Sequence, residues 1–253
     1  MRTHPTWLNR MPDSKEARWR RQLRFGTGQG VRIGLLDTGV ADSVPQLGGV
    51  IRSHHSVTNT GSVISNRKGE DAIGHGTACA WIVHQHAPEA ELHSVRVIGD
   101  SPRERGEKLI VGLKFAIEQR WDVINVSLGT TKFQDGLATL ADQAAAGGIV
   151  IVAAANNDPE LVSFPAALSN VIGVDAGSFV RSLAFRYDPN REIEVEASGV
   201  YVEAPRPDGS WFHYTGSSFA CPHVTAIAAR LWESGGRMPE RLREKLSLLS
   251  DQE

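Results

Sequence analysis

Four short segments of the chain carry residues that could do chemistry together. Asp37 ends the apolar run RIGLLD and is followed by Thr-Gly. His75 lies between two glycines in GHGTACA, and Ser218 lies in the small-residue stretch TGSSFACPHV. Asn156 and Asn157 follow the Ala-rich run IVIVAAA. A serine hydroxyl is a poor nucleophile until a neighbouring base takes its proton. Imidazole, with a reference pKa of about 6.5, can take and return that proton near neutral pH. A carboxylate behind the imidazole holds its tautomer and stabilises the imidazolium. A side-chain amide can donate to an oxygen that gains charge when a carbonyl is attacked. The set fits acyl transfer by a nucleophilic serine. Taken singly, each residue also has a plain structural reading: Asp37 as a turn former, Ser218 as a helix N-cap, Asn157 as a turn residue and His75 as a packed ring.

Such residues need a frame to bring them together. Apolar runs predict strands over Arg32–Asp37, Glu91–Ile98, Val123–Leu128, Ile149–Ala155 and Val171–Ala176. Helical spacing predicts helices over Ser14–Phe25, His75–His86, Glu107–Gln119, Leu137–Ala146, Ser218–Glu233 and Pro239–Leu249. Pro222 is expected in the first turn of its helix, where a missing N–H costs nothing. Buried strands alternating with helices imply an α/β fold of three layers, a mostly parallel central sheet with helices on both faces. Ligands of such sheets bind outside the carboxyl ends of the strands. Asp37, Ser127 and Asn156-Asn157 all fall at predicted strand ends.

The chain has 253 residues, 41% hydrophobic and 22% charged, enough for a sizeable core. Its 27 Lys+Arg against 29 Asp+Glu leave no basic excess that would mark nucleic acid as the partner. No run of 18 apolar residues exists, so no membrane span is expected. Residues 1–30 read as a basic, Trp-bearing arm (Trp7, Trp19) and 31–253 as the main domain. The first segment has charges throughout and no apolar stretch of a secretory signal, so a cytoplasmic location is expected. The two cysteines, Cys79 and Cys221, cannot staple a chain this long.

The order Asp37, His75, Asn157, Ser218 resembles that of the subtilisin-like serine proteases, the subtilases. The matching segments read LLDTGV, GHGTACA, INVSLGT, IVAAANND, SFPA and GSSFACPHV, and they span most of the chain. The resemblance implies a serine endopeptidase with Asp37, His75 and Ser218 as its triad. It implies that the Asn157 amide and the Ser218 backbone N–H hold the oxyanion. Subtilases carry Gly before the oxyanion Asn, so Asn156 departs from the pattern, stands near the wall of the pocket for the residue preceding the cut bond, and remains an alternative donor. Ser127-Leu128-Gly129 match the segment that pairs with substrate as an added strand. Ser163 matches the floor of the same pocket.

Cys79 resembles the free cysteine under the catalytic His in the proteinase K branch, and also fits a small buried residue. The cysteines could lie near one another on packed helices, leaving a disulfide conceivable. The histidines fit no standard zinc spacing. Subtilases need no cofactor for chemistry. They often bind calcium for stability, but no Asp-rich calcium loop is evident and no metal site is assigned. The expected partner is a peptide or protein held as an added strand, and no oligomeric state is read. The short stretch before the first strand leaves no evident propeptide, and a cytoplasmic protease implies a restricted substrate such as the leader of a precursor peptide. The rival readings are a catalytically silent peptide binder and a transpeptidase. A lipase-like enzyme is excluded, because its Ser precedes its His in a G-x-S-x-G elbow.

Overall fold

A computed structural model describes residues 14–98, 105–232 and 239–250. The first thirteen residues of the arm, with Trp7, and the expected helix end at Glu233 lie outside the described residues. The elements run α1 (Lys15–Phe25), β1 (Arg32–Asp37), β2 (Ile51–Val57), β3 (Val63–Asn66), α2 (His75–His86), β4 (Glu91–Arg96), α3 (Arg105–Glu118), β5 (Val123–Val126), α4 (Asp135–Ala146), β6 (Val150–Ala154), β7 (Val171–Gly177), β8 (Phe185–Tyr187), β9 (Val195–Ser198), β10 (Val202–Pro205), β11 (Trp211–Tyr214), α5 (Ser217–Trp232) and α6 (Pro239–Leu249).

Nine strands form one sheet in the order β3-β2-β4-β1-β5-β6-β7-β9-β8. The pairs from β2 to β9 are parallel, and only the edge strands β3 and β8 are antiparallel. The central strands β5 and β6 are buried at every position, as their unbroken apolar sequences require of a sheet covered on both faces. One face packs α2, α5, α6 and Trp19 of α1; the other packs the apolar sides of α3 and α4. The fold is the expected three-layer α/β arrangement.

The arm's helix begins where a cap is available: Ser14 Oγ accepts the Ala17 N–H at 3.2 Å. Trp19 is 4% exposed, and Lys245 of α6 stands 5.8 Å from its ring centroid. Arg230 of α5 donates to the Leu23 carbonyl at 2.7 Å. At the far end of the chain Arg243 of α6 donates to both Glu194 carboxylate oxygens and to the carbonyls of Ser169 and Val171. Its planar fork gathers these four oxygens.

Three expected strands end early. β4, β5 and β6 stop at Arg96, Val126 and Ala154. Pro222 also departs from expectation. It is the sixth residue of α5, inside the helix rather than in its first turn. The hairpin β10–β11 and the strands β2, β3, β8 and β9 were not expected from the sequence.

Candidate active site

Asp37 is the last residue of β1 and is 1% exposed. Its Oδ1 accepts the Thr38 N–H at 2.7 Å and the His75 Nδ1–H at 2.7 Å. His75 is the first residue of α2, preceded by Gly74 at φ +87°, a conformation natural to glycine. No Cβ fits at Gly76, which abuts the Gly39 carbonyl and the Asp37 side chain. The glycines flanking His75 therefore let α2 start against the end of β1. A residue the sequence reading passed over, Asp71, fixes that start. Its carboxylate accepts N–H groups of Gly74 (2.8 Å) and Thr77 (2.9 Å) and the Thr77 hydroxyl (2.7 Å). Its signal was an acid four residues before the helix, where negative charge suits the N-terminus.

Burial opposes a charged His75 ring, but the Asp37 carboxylate and the Cys79 sulfur outweigh it and hold the pKa above the usual 6.5. Burial pushes the Cys79 thiol up as well. Cys79 is thus an S–H at neutral pH, and the carboxylate remains as the group that holds the proton on His75.

Ser218 is the second residue of α5, in the turn that follows Gly216. All other residues of α5 except Arg230 are buried, so the hydroxyl is presented where a packed helix meets solvent. The Phe219 ring lies 5.2 Å from that of His75 and is stacked by Tyr214 at 4.6 Å. Ser218 Oγ makes no hydrogen bond among the described residues, as is common before substrate tightens such a site.

Asn157 lies just beyond β6. Its Oδ1 accepts the Ser217 N–H at 2.9 Å and the Ser217 hydroxyl at 3.1 Å. Ser217, also passed over in the sequence, holds the amide oxygen and so turns the NH2 group away from itself. Asn156 differs: its Oδ1 accepts the Asp158 N–H at 2.9 Å in a local turn. The two asparagines are thus held in different ways.

Ser127 is buried, with Oγ accepting from Asn125 Nδ2 at 2.9 Å. Its side chain is therefore turned into the protein, and only the backbone of Ser127 is available to a strand laid beside it. Thr130 and Phe164 exchange two backbone hydrogen bonds at 2.9 and 2.8 Å, which sets Ser163 against Gly129. A Cβ at Gly129 would collide with Ser163 Oγ. Asn156 and Ser163 line one cavity of about 280 Å³, together with Asp175, Arg191 and Glu192. The structure thus brings Asp37 and His75 into contact, sets Ser218 and Asn157 at the same rim through Phe219 and Ser217, and places Asn156, Ser163 and Gly129 together beside them.

Both cysteines are free, and the conceivable disulfide is absent. Cys221 donates to Asn125 Oδ1 at 3.3 Å. Asp37, His75 and Cys79 offer an oxygen, a nitrogen and a sulfur within 4.8 Å of one another. His54 pairs with Asp42 at 2.8 Å, and His93 and His55 share the Ser53 hydroxyl at 2.8 and 2.9 Å. No helix among the described residues is long and apolar enough to cross a membrane.

A parallel α/β sheet with a carboxylate–imidazole pair and a helix-borne serine at its strand ends defines a class of serine hydrolase fold. The chain belongs to the subtilase family, whose model matches residues 28–246. It is 30% identical over 219 residues to Subtilisin E of Bacillus subtilis (strain 168), covering 80% of this chain and 55% of that protein. It is 32% identical over 222 residues to the Major intracellular serine protease of the same strain, covering 80% of this chain and 68% of that protein. The chain spans about half the length of the first of these relatives. Among solved structures, Sphericase matches with TM-score 0.75 at 26% identity, over 90% of this chain and 87% of that one. The S41 Psychrophilic Protease matches with TM-score 0.73 at 26% identity, over 87% and 83%. Subtilases need no cofactor for their chemistry.

Proposed function

We propose that the chain is a serine endopeptidase that cuts peptide bonds through an acyl-enzyme. The observation that carries this is the 2.7 Å bond from His75 Nδ1–H to the buried Asp37 carboxylate, on the rim where Ser218 emerges. In this reading His75 Nε2 takes the Ser218 proton as Oγ attacks the carbonyl carbon. The tetrahedral oxygen takes hydrogen bonds from Asn157 Nδ2 and the Ser218 N–H. The C–N bond then breaks, with the proton passing from His75 to the leaving amine. Water repeats the sequence on the ester and frees Ser218. The substrate lies as an added strand along Ser127, Leu128 and Gly129, with the residue before the cut bond between Asn156 and Ser163. No metal or nucleic acid enters the reaction.

The substrate we infer is restricted and intracellular, of the kind of a precursor-peptide leader. Support comes from the likeness to the Major intracellular serine protease. The test is a proteome-derived peptide library incubated with the protein and with Ser218→Ala, with new termini read by mass spectrometry. Ser218-dependent cuts are expected, confined to few sequences. Cuts that persist in Ser218→Ala would overturn the assignment, and new peptide joins in place of new termini would make it a transpeptidase.

A further inference from the structure

A second cavity, of about 880 Å³, opens between the β2–β3 hairpin and the ends of β1 and β4. Its volume lies within the range of about 300–1,000 Å³ typical of ligand sites. Four cationic side chains line it: Arg67, Lys68, Arg96 and Lys108. Glu70 is the one carboxylate among its lining residues. Asp42, close by, is taken up by His54 at 2.8 Å and by the Gly69 N–H at 2.8 Å. This is a positive concavity in a chain whose net charge is −2.

Arg67, Lys68 and Arg96 have no carboxylate partner among the described residues. Lys108 is held in place by Asn59 Oδ1 at 2.6 Å. The cavity also adjoins the chemistry. Arg96 pairs in register with Asp37 across β4 and β1, the Val97 N–H donates to the Asp37 carbonyl at 2.9 Å, and Gly39, two residues past Asp37, lines the wall. A concave surface in which one sign of charge predominates draws in the opposite charge.

We propose that this cleft is a specificity subsite that holds aspartate or glutamate side chains of the peptide substrate. The inference rests on the peptidase reading above and names the substrate class: peptides with acidic residues at a fixed offset from the cut bond.

Binding and cleavage test it separately. Ser218→Ala is titrated with a fluorescein-labelled decapeptide drawn from the library cuts, in a form with Glu at the acidic offset and in a matched Gln form. For a protein that cuts nothing, random decapeptides rich in Glu and their Gln counterparts serve instead. The Glu form is expected to bind about fivefold or more tightly at low salt, a margin that shrinks as salt screens exposed charges. Adding Arg67→Glu and Lys68→Glu should erase or reverse the Glu/Gln ratio. Reading a ratio within each variant cancels any loss of folded protein. Equal affinities for the two forms would overturn the subsite. Absence of cleavage with the Glu preference intact would overturn the peptidase reading and leave the subsite standing. A preference that survives both charge reversals would place the acidic group elsewhere.

Discussion

Cys79 gives its S–H to the carbonyl of Ser218, with Sγ 3.4 Å from the oxygen. Within a helix that carbonyl would accept the N–H of residue 222, but residue 222 is proline and has none. The misplaced proline and the buried thiol thus explain one another. Pro222 frees the carbonyl, and Cys79 ties α2, which carries His75, to α5, which carries Ser218. Cys79→Ala should leave the carbonyl without its partner and cost about 1–3 kcal/mol of stability. Thermal melting and kcat should both fall, with Cys79→Ser recovering much of each. Unchanged melting in Cys79→Ala would show that the tie does not hold the helices.

The two asparagines are expected to fail in different ways. Asn157→Ala should lower kcat by about 10²–10³-fold, the loss measured for the corresponding asparagine of a subtilisin, with KM little changed. Asn156→Ala should instead alter which residue precedes the cut bond. Kinetics on matched peptides separate the two, and a kcat collapse in Asn156→Ala alone would exchange their roles.

The pH profile should carry the mark of Asp37. His75 acts as a base only when neutral, so kcat/KM rises with pH as the ring loses its proton. Because the folded pKa is raised above 6.5, that limb should lie above 6.5 rather than at it. The charged pair adds stability that is present in full below 6.5 and lost as pH rises through the folded pKa. Asp37→Asn should move the limb down and cut kcat by about 10⁴, the scale known for such a triad. A limb that stays put in Asp37→Asn would remove the carboxylate as the cause.

Acid should destabilise the protein through a different pair. The His86 and His223 rings lie 5.2 Å apart between α2 and α5. Burial pushes His86 down to about 3 and His223 down to about 4. The unfolded chain protonates near 6.5, so it binds more protons than the folded chain between 6.5 and these values. Stability from these rings is therefore complete above 6.5 and lost as pH falls through that window, by on the order of 3 kcal/mol for His223 at pH 4. Melting temperature measured from pH 7 to 4 should fall, and His223→Gln should flatten the curve. A flat curve for the unaltered protein would rule the pair out.

What the sequence made legible follows from burial. β1, β5, β6 and α5 are buried along nearly their whole length, so their apolar runs declare them. β11 (WFHY) has three of its four residues exposed, and β2 (IRSHHSV) mixes charge and histidine. Their pairing comes from neighbours in the sheet rather than from pattern. The residues of the proposed triad were legible through their glycines and small neighbours. Asp71 and Ser217 were not, because a carboxylate or hydroxyl that orients another group looks like any polar loop residue until the fold closes around it.

Only Ser218 and Arg230 of α5 escape burial. The hydroxyl proposed to react is thus a window cut into the most enclosed helix among the described residues. Local fraying cannot reach that helix without dismantling the core on the face of the sheet it covers. Inactivation and global melting should then trace one curve, and each surviving molecule should work at full rate until it is lost altogether.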